Sequence, residues 1–265
     1  MMRTIILFST FCLLFAGCKR EIDLVVEGVE PRLVIEANLN ATSDFAYVSL
    51  TKTTPINDPY PSPTVSDAVV VIKNLTTGTD HPMQYNLGSG WYAASGFGAK
   101  PGDVFQLSVD YNGVNYVASC PLMSSVTLDG VTIKDSEFAV GSKPLYDVIP
   151  HFTDPSADQR NYYHFRIGVN DKLYTKIFVM SNAFSGGMPN TQPLRVRDIE
   201  FIEGDTVTVI MERVAPVVYQ YYFELLQASR KTGDHPSNPT SNITGGALGY
   251  FSAFYIEVQR VVYEK

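Results

Sequence analysis

Gly102-Asp103-Val104-Phe105-Gln106-Leu107-Ser108-Val109-Asp110-Tyr111-Asn112-Gly113-Val114 decides the fold class. Phe105, Leu107 and Val109 alternate with Gln106 and Ser108, the period of a strand with one buried face. Asn112-Gly113 accepts positive φ at two consecutive positions, so Tyr111 to Val114 is predicted as the tight primed turn of a hairpin. The same alternation recurs upstream. Leu33, Ile35 and Ala37 oppose Val34, Glu36 and Asn38, and Ala46, Val48 and Leu50 oppose Tyr47, Ser49 and Thr51. Ala68 to Ile72 is an unbroken apolar run rich in β-branched residues, the pattern of a central strand. Turn clusters such as Asn57-Asp58-Pro59, Pro61-Ser62-Pro63, Thr77-Gly78 and Pro101-Gly102-Asp103 separate these runs.

Short strands with closely spaced turns predict an Ig-like β-sandwich over residues 31–121. Three pieces, Ser66-Asp67-Ala68-Val69-Val70-Val71-Ile72, Gly90-Trp91-Tyr92 and Gly102 to Val109, follow one another as in transthyretin-like or carboxypeptidase-regulatory-like modules, which this half resembles. Residues 122–265 are predicted as a second β-rich domain beginning after a junction at Pro121. Tyr146, Val148 and Phe152 share one strand face. Tyr163, Phe165, Ile167 and Val169 share another, turning His164 and Arg166 the opposite way, and Val207, Val209 and Met211 continue the pattern. Phe251 to Val262 reads as the last strand. One segment breaks the period: Val217, Val218, Tyr221, Tyr222, Leu225 and Leu226 follow Pro216 at helical spacing. Proline suits a first helical turn, so one helix near 216–230 is predicted to pack on a sheet.

The N-terminus carries Arg3 and then an uncharged run from Thr4 to Ala16, the shape of a signal peptide over residues 1–17. The run is short of the roughly 20 apolar residues that span a bilayer. Phe15-Ala16-Gly17-Cys18 follows and resembles the lipobox of bacterial lipoproteins, although Phe15 stands where an aliphatic residue is usual. The resemblance implies a lipid on the Cys18 thiol and cleavage before it. Lys19-Arg20-Glu21-Ile22-Asp23 then opens a polar tether over residues 18–30. The alternative is ordinary cleavage at a small residue, with Cys18 a bystander.

The chain has 265 residues, 45% hydrophobic and 18% charged, enough for a sizeable core without a disulfide framework. Loss of residues 1–17 would remove only Arg3, leaving 19 − 27 = −8 as the net charge. An acidic body with no dense Lys/Arg cluster argues against nucleic-acid binding. Cys12 would leave with the signal peptide and Cys18 would carry lipid. Cys120, in step with Tyr116 and Ala118, is then expected as a buried small hydrophobe.

Phe152-Thr153-Asp154-Pro155, Asn161-Tyr162-Tyr163, Glu203-Gly204-Asp205-Thr206-Val207-Thr208-Val209, the tyrosine-rich helix and Asn238 to Ala253 come in a characteristic order. Over almost the whole mature chain they resemble the domain-of-unknown-function 4249 family, lipoproteins of Bacteroidota. That resemblance implies a lipid-anchored, surface-exposed protein of the outer membrane. It also implies a partner, a TonB-dependent outer-membrane transporter, and an accessory role in nutrient uptake. It supplies no catalytic residues. In physical terms the same motifs are turn formers and core fillers: Gly245, Gly246 and Gly249 would permit a bend or a close backbone approach, with Tyr250, Phe251, Phe254 and Tyr255 in the core.

Neither a zinc-type histidine pairing, a nucleophile elbow nor a calcium loop occurs in the sequence. His151, Asp154 and His164 are close enough in sequence for an acid–base or metal site to be imagined. However, His164 alternates with core residues and is expected at a solvated or interfacial place. The expectation is therefore a protein without catalytic residues, metal or cofactor. Trp91, after Gly88-Ser89-Gly90, is a candidate for stacking on a ligand or partner, against the alternative of capping the sandwich core. Tyr60, in the Thr53–Thr64 segment with its four prolines, is the second candidate. The ligand is unknown. The competing functions are a structural or adhesive surface lipoprotein and a secreted hydrolase.

Overall fold

The computed structural model describes residues 30–55, 58–139, 144–155, 158–182, 186–229 and 237–265. The expected signal peptide and all but the last residue of the tether, with Cys18, lie outside the described residues. Residues Arg32–Lys265 form one compact unit. Its elements are strands, with a single helix among the described residues.

The first half builds two sheets around one core. β1 (Leu33–Asn40), β2 (Phe45–Lys52), β6 (Trp91–Ser95) and β5 (Gln84–Asn86) pair in that order in one sheet. β4 (Thr79–Pro82), β3 (Val69–Asn74), β7 (Val104–Tyr111) and β8 (Val114–Pro121) make the other. The alternating apolar residues meet between them, with Ile35, Leu39, Val48, Ile72, Phe105 and Leu107 fully buried. β3 is an interior strand, as its apolar run requires. Asn112 and Gly113 adopt φ of 50° and 75°, and Tyr111 pairs with Val114, so the primed hairpin forms as predicted.

The second half forms a smaller pair of sheets. β9 (Gly130–Asp135), β10 (Leu145–His151) and β14 (Leu194–Arg197) pack against β11 (Tyr162–Val169), β12 (Lys172–Leu173), β13 (Phe178–Ser181) and β15 (Thr206–Val214). Phe152, Tyr163, Phe165, Ile167, Val196 and Val209 fill this second core. Helix α1 (Pro216–Ser229) begins at the proline and presents Val218, Tyr221 and Tyr222 to the interior.

Where the sequence divides by pattern after residue 121, the packing crosses the division. Val218, Tyr221 and Tyr222 of α1, with Tyr250, Phe251 and Ala253, belong to the first core. The last three lie on β16 (Leu248–Phe254), which pairs in parallel with β1, Ile35 opposite Gly249 and Asn40 opposite Phe254. The apolar run ending the chain is thus two strands rather than one. β1 runs out at Asn40, so β16 loses its partner, and after Tyr255 the chain continues as β17 (Ile256–Val262) on β15.

The Asn238–Ala253 segment is built for this insertion. Asn242 accepts from the Phe251 amide and donates to the Phe251 carbonyl, both at 2.9 Å, taking the place of a neighbouring strand. The Ala253 amide donates to Cys120 Sγ at 3.4 Å, and burial pushes that thiol up to about 11, so it stays protonated. Thr244 laces to Val117 on β8 through backbone and hydroxyl bonds. Gly249, at φ 100°, lies so close to β1 that an added Cβ would stand 1.9 Å from the Ile35 carbonyl oxygen. Only glycine fits there.

Gly249→Ala is therefore expected to lower unfolding free energy by about 3–5 kcal/mol or to prevent folding. Gly78→Ala, with similar positive φ but open space, should cost about 1 kcal/mol. Urea titration of the two variants checks the contrast.

Candidate functional site

The interior polar residues of the second half fall into two groups. Asp154, from the Phe152–Pro155 motif, is buried beside the second core. Its carboxylate accepts from Asn161 Nδ2 at 2.7 Å, Tyr163 hydroxyl at 2.7 Å and Asn182 Nδ2 at 3.0 Å. Asn161 Oδ1 in turn accepts from Arg213 Nη2 at 2.5 Å, and Arg213 Nη1 reaches Ser124. Burial, reinforced by Asp154, pushes the Tyr163 phenol far above its ordinary value. A neutral phenol donating to a fixed carboxylate ties β11 to the segment after β10, with no proton to give.

The second group sits under α1. In β11 and β15, His164 pairs with Glu212 in register, on the face opposite the core. His164 Nδ1 lies 2.9 Å from Glu212 Oε2, and Arg166 Nη2 donates to Glu212 Oε1 at 2.6 Å. Tyr222 of α1 stacks on the imidazole at 4.2 Å, with the rings 11° apart. Burial alone raises the Glu212 carboxyl, but the His164 hydrogen bond and charge, then Arg166, outweigh it and hold it below its ordinary range. His164 is thus interfacial, sealed between sheet and helix. The hydroxyl of Tyr250 bonds Asn38 at 3.3 Å and its ring leans on Tyr221 and Tyr222, continuing the network onto the outer face of the first sheet.

That outer face carries the accessible chemistry. Core side chains of β1, β2 and β6 point inward, so Glu36, Tyr47 and Trp91 project from the other side. Trp91 keeps 43% of its surface exposed and is no part of the sandwich core; it leans on Tyr47, the ring centroids 5.0 Å apart. Burial raises the Tyr47 phenol, and the charges of Arg166, Glu212 and Glu36 all act on it. Burial also raises the Glu36 carboxyl. Among the described residues that carboxylate makes neither a hydrogen bond nor an ion pair, and it lies between Tyr250 and Ser49 in register. Two aromatic faces beside an uncommitted carboxylate can stack on a ring and accept hydrogen bonds from hydroxyl or amine groups.

Tyr60 is 77% exposed in its loop, and no ring contact joins it to Trp91 or Tyr47. His151 and His164, imagined with Asp154 as one site, have separate partners: His151 Nε2 meets Thr132 Oγ1 at 2.7 Å. Among the described residues no group of three or more His, Cys, Asp or Glu side chains is placed to hold a metal. Tyr47 and Glu36 were visible in sequence only as the outward members of alternating strands. The pairing of His164 with Glu212 depends on strand register, which carries no local signal.

Because the Glu212 carboxyl is held low, its stabilisation is present above the ordinary value of 4.5 and is lost as pH falls through the depressed folded value. Glu212→Gln should cost about 3 kcal/mol at pH 7, by removing the buried charge and turning one of its two acceptor oxygens into an NH2 donor aimed at Arg166 or His164. It should also flatten the loss of stability as pH falls below 4.5. Urea midpoints across pH 3–7 for both proteins measure this.

Among the described residues no helix is long and apolar enough to cross a membrane. No curated protein matches the chain. The family model described as domain of unknown function (DUF4249) matches residues 19–260, taking in both sandwiches, α1 and the inserted strand. The chain belongs to that family.

Proposed function

We propose that this chain is a non-catalytic lipoprotein of the cell envelope, held at the outer membrane by a lipid on Cys18. Its body serves as an accessory to a TonB-dependent transporter in nutrient uptake, gripping a ligand on the Trp91–Tyr47–Glu36 face. One observation carries the non-catalytic part of this reading. Asp154, Glu212 and His164 are buried and spent on architectural bonds, whereas the open chemistry is a pair of aromatic rings and an unpaired carboxylate. Such a face suits binding rather than proton transfer, since a general base must reach its substrate. The anchor rests on Ala16-Gly17-Cys18 and the polar residues after it.

Two measurements test the proposal in the native host. Wild-type protein is expected to incorporate labelled palmitate and fractionate with the outer membrane, while Cys18→Ser does neither. Gentle detergent extraction with crosslinking should recover a large β-barrel partner. A Cys18→Ser protein that stays membrane-bound, with unlabelled wild type, refutes the anchor. Absence of a barrel under crosslinking refutes the transporter role.

A further inference from the structure

A second surface lies beside α1, on residues other than those of the Trp91 face. β14 is an edge strand of one sheet of the second half, and β13 pairs only with β11 in the other. Beside them runs a groove of about 700 Å³, lined among others by Phe138, Lys176, Ile177, Arg195, Arg197 and Leu226. It continues along β13 as a further hollow of about 360 Å³.

The backbone of β14 is open toward this groove. Leu145 gives its carbonyl to the Ser136 amide, so its polar groups face β9. Its register partner Arg197, and Arg195 two residues away opposite Asp147, therefore turn their amides and carbonyls away from β10. Lys176 Nζ reaching the Arg197 carbonyl at 2.6 Å agrees with that direction. An edge with outward amides and carbonyls is a template for another strand.

The side chains on this edge select what can be added. Arg195 and Arg197 share the exposed face of β14. Asp198 lies 3.8 Å from Lys176. Among the described residues neither arginine makes an ion pair, and Arg195 meets only the Phe138 ring, 4.4 Å away. Two guanidinium groups outside any ion pair among the described residues, Arg195 with Asp147 across from it, stand out on a chain of formal charge −7. Two copies of this edge would repel each other, whereas an acidic strand would be drawn to it. Ile177 and Leu226 offer apolar surface to alternate residues of such a strand.

We propose that β14 receives an extended acidic segment of a partner protein as an added strand, its carboxylates pairing with Arg195 and Arg197. A capped, labelled hexapeptide alternating Glu and Val serves as the probe, with the Gln–Val peptide as its neutral counterpart. The Glu peptide is expected to bind the full chain about tenfold more tightly than the Gln peptide at low salt. Binding should slow hydrogen exchange at the Arg195 and Arg197 amides. The double variant Arg195→Glu with Arg197→Glu, both exposed positions, should keep its Tm, lose the Glu peptide and gain a Lys–Val peptide. Equal binding of the Gln peptide overturns the proposal, and so does an unaffected double variant. Binding that leaves the two amides unprotected overturns it too, since it reports anion attraction without an added strand.

Discussion

The close approach of Gly249 to the Ile35 carbonyl is the contact on which the rest of the body depends. It lets a strand from the end of the chain lie in parallel beside the first strand of the body. A parallel pair needs a long connection, and here the connection is everything from β2 to α1, the rest of the first sandwich included. Asn242 and Cys120 close the outer edge of the inserted strand by bonding to amides that would otherwise lie buried without partners. Beyond Tyr255 the chain passes directly into β17, so one segment holds strands in both halves.

The same insertion fixes α1 and the polar layer beneath it. The helix lies between β15 and β16 in sequence, and its tyrosines join the first core while stacking on His164 of the second half. Burying Glu212 would be costly alone; His164 and Arg166 offset the desolvation with short hydrogen bonds. Such a network is weak evidence for extra stability, but with Tyr222 stacked on His164 it forms the contact of α1 with β11. Tyr47, on which Trp91 leans, stands at its margin, where the charges of Arg166 and Glu212 act on it.

Period-two alternation was enough to read the β class, the apolar run Ala68–Ile72 marked a central strand, the Asn112-Gly113 pair marked the hairpin, and helical spacing after Pro216 marked the helix. Those features are local: each is written in neighbouring residues. The domain-like break at Pro121 is local too, but the return of α1 and β16 to the first core is not. Nothing in Leu248–Phe254 states that its partner is some 210 residues earlier; Gly249 among bulky neighbours was the available hint. Capping the core is the alternative role that the sequence offers Trp91. Tyr92 beside it takes that inward role, and a shift of one residue on a strand turns a side chain to the other face. Of the binding face, Trp91 could be picked out from its glycine turn, whereas Tyr47 and Glu36 needed the sheet order.

The central structural claim is that the inserted strand joins the two sandwiches into one cooperative body. Native-state hydrogen exchange of single amides in β1, β16, β15 and β17 tests it most directly. The account predicts that amides paired across β1–β16 and across β15–β17 open only with global unfolding and share one free energy. Independent opening of β16, with β1 and β15 still protected, would contradict it.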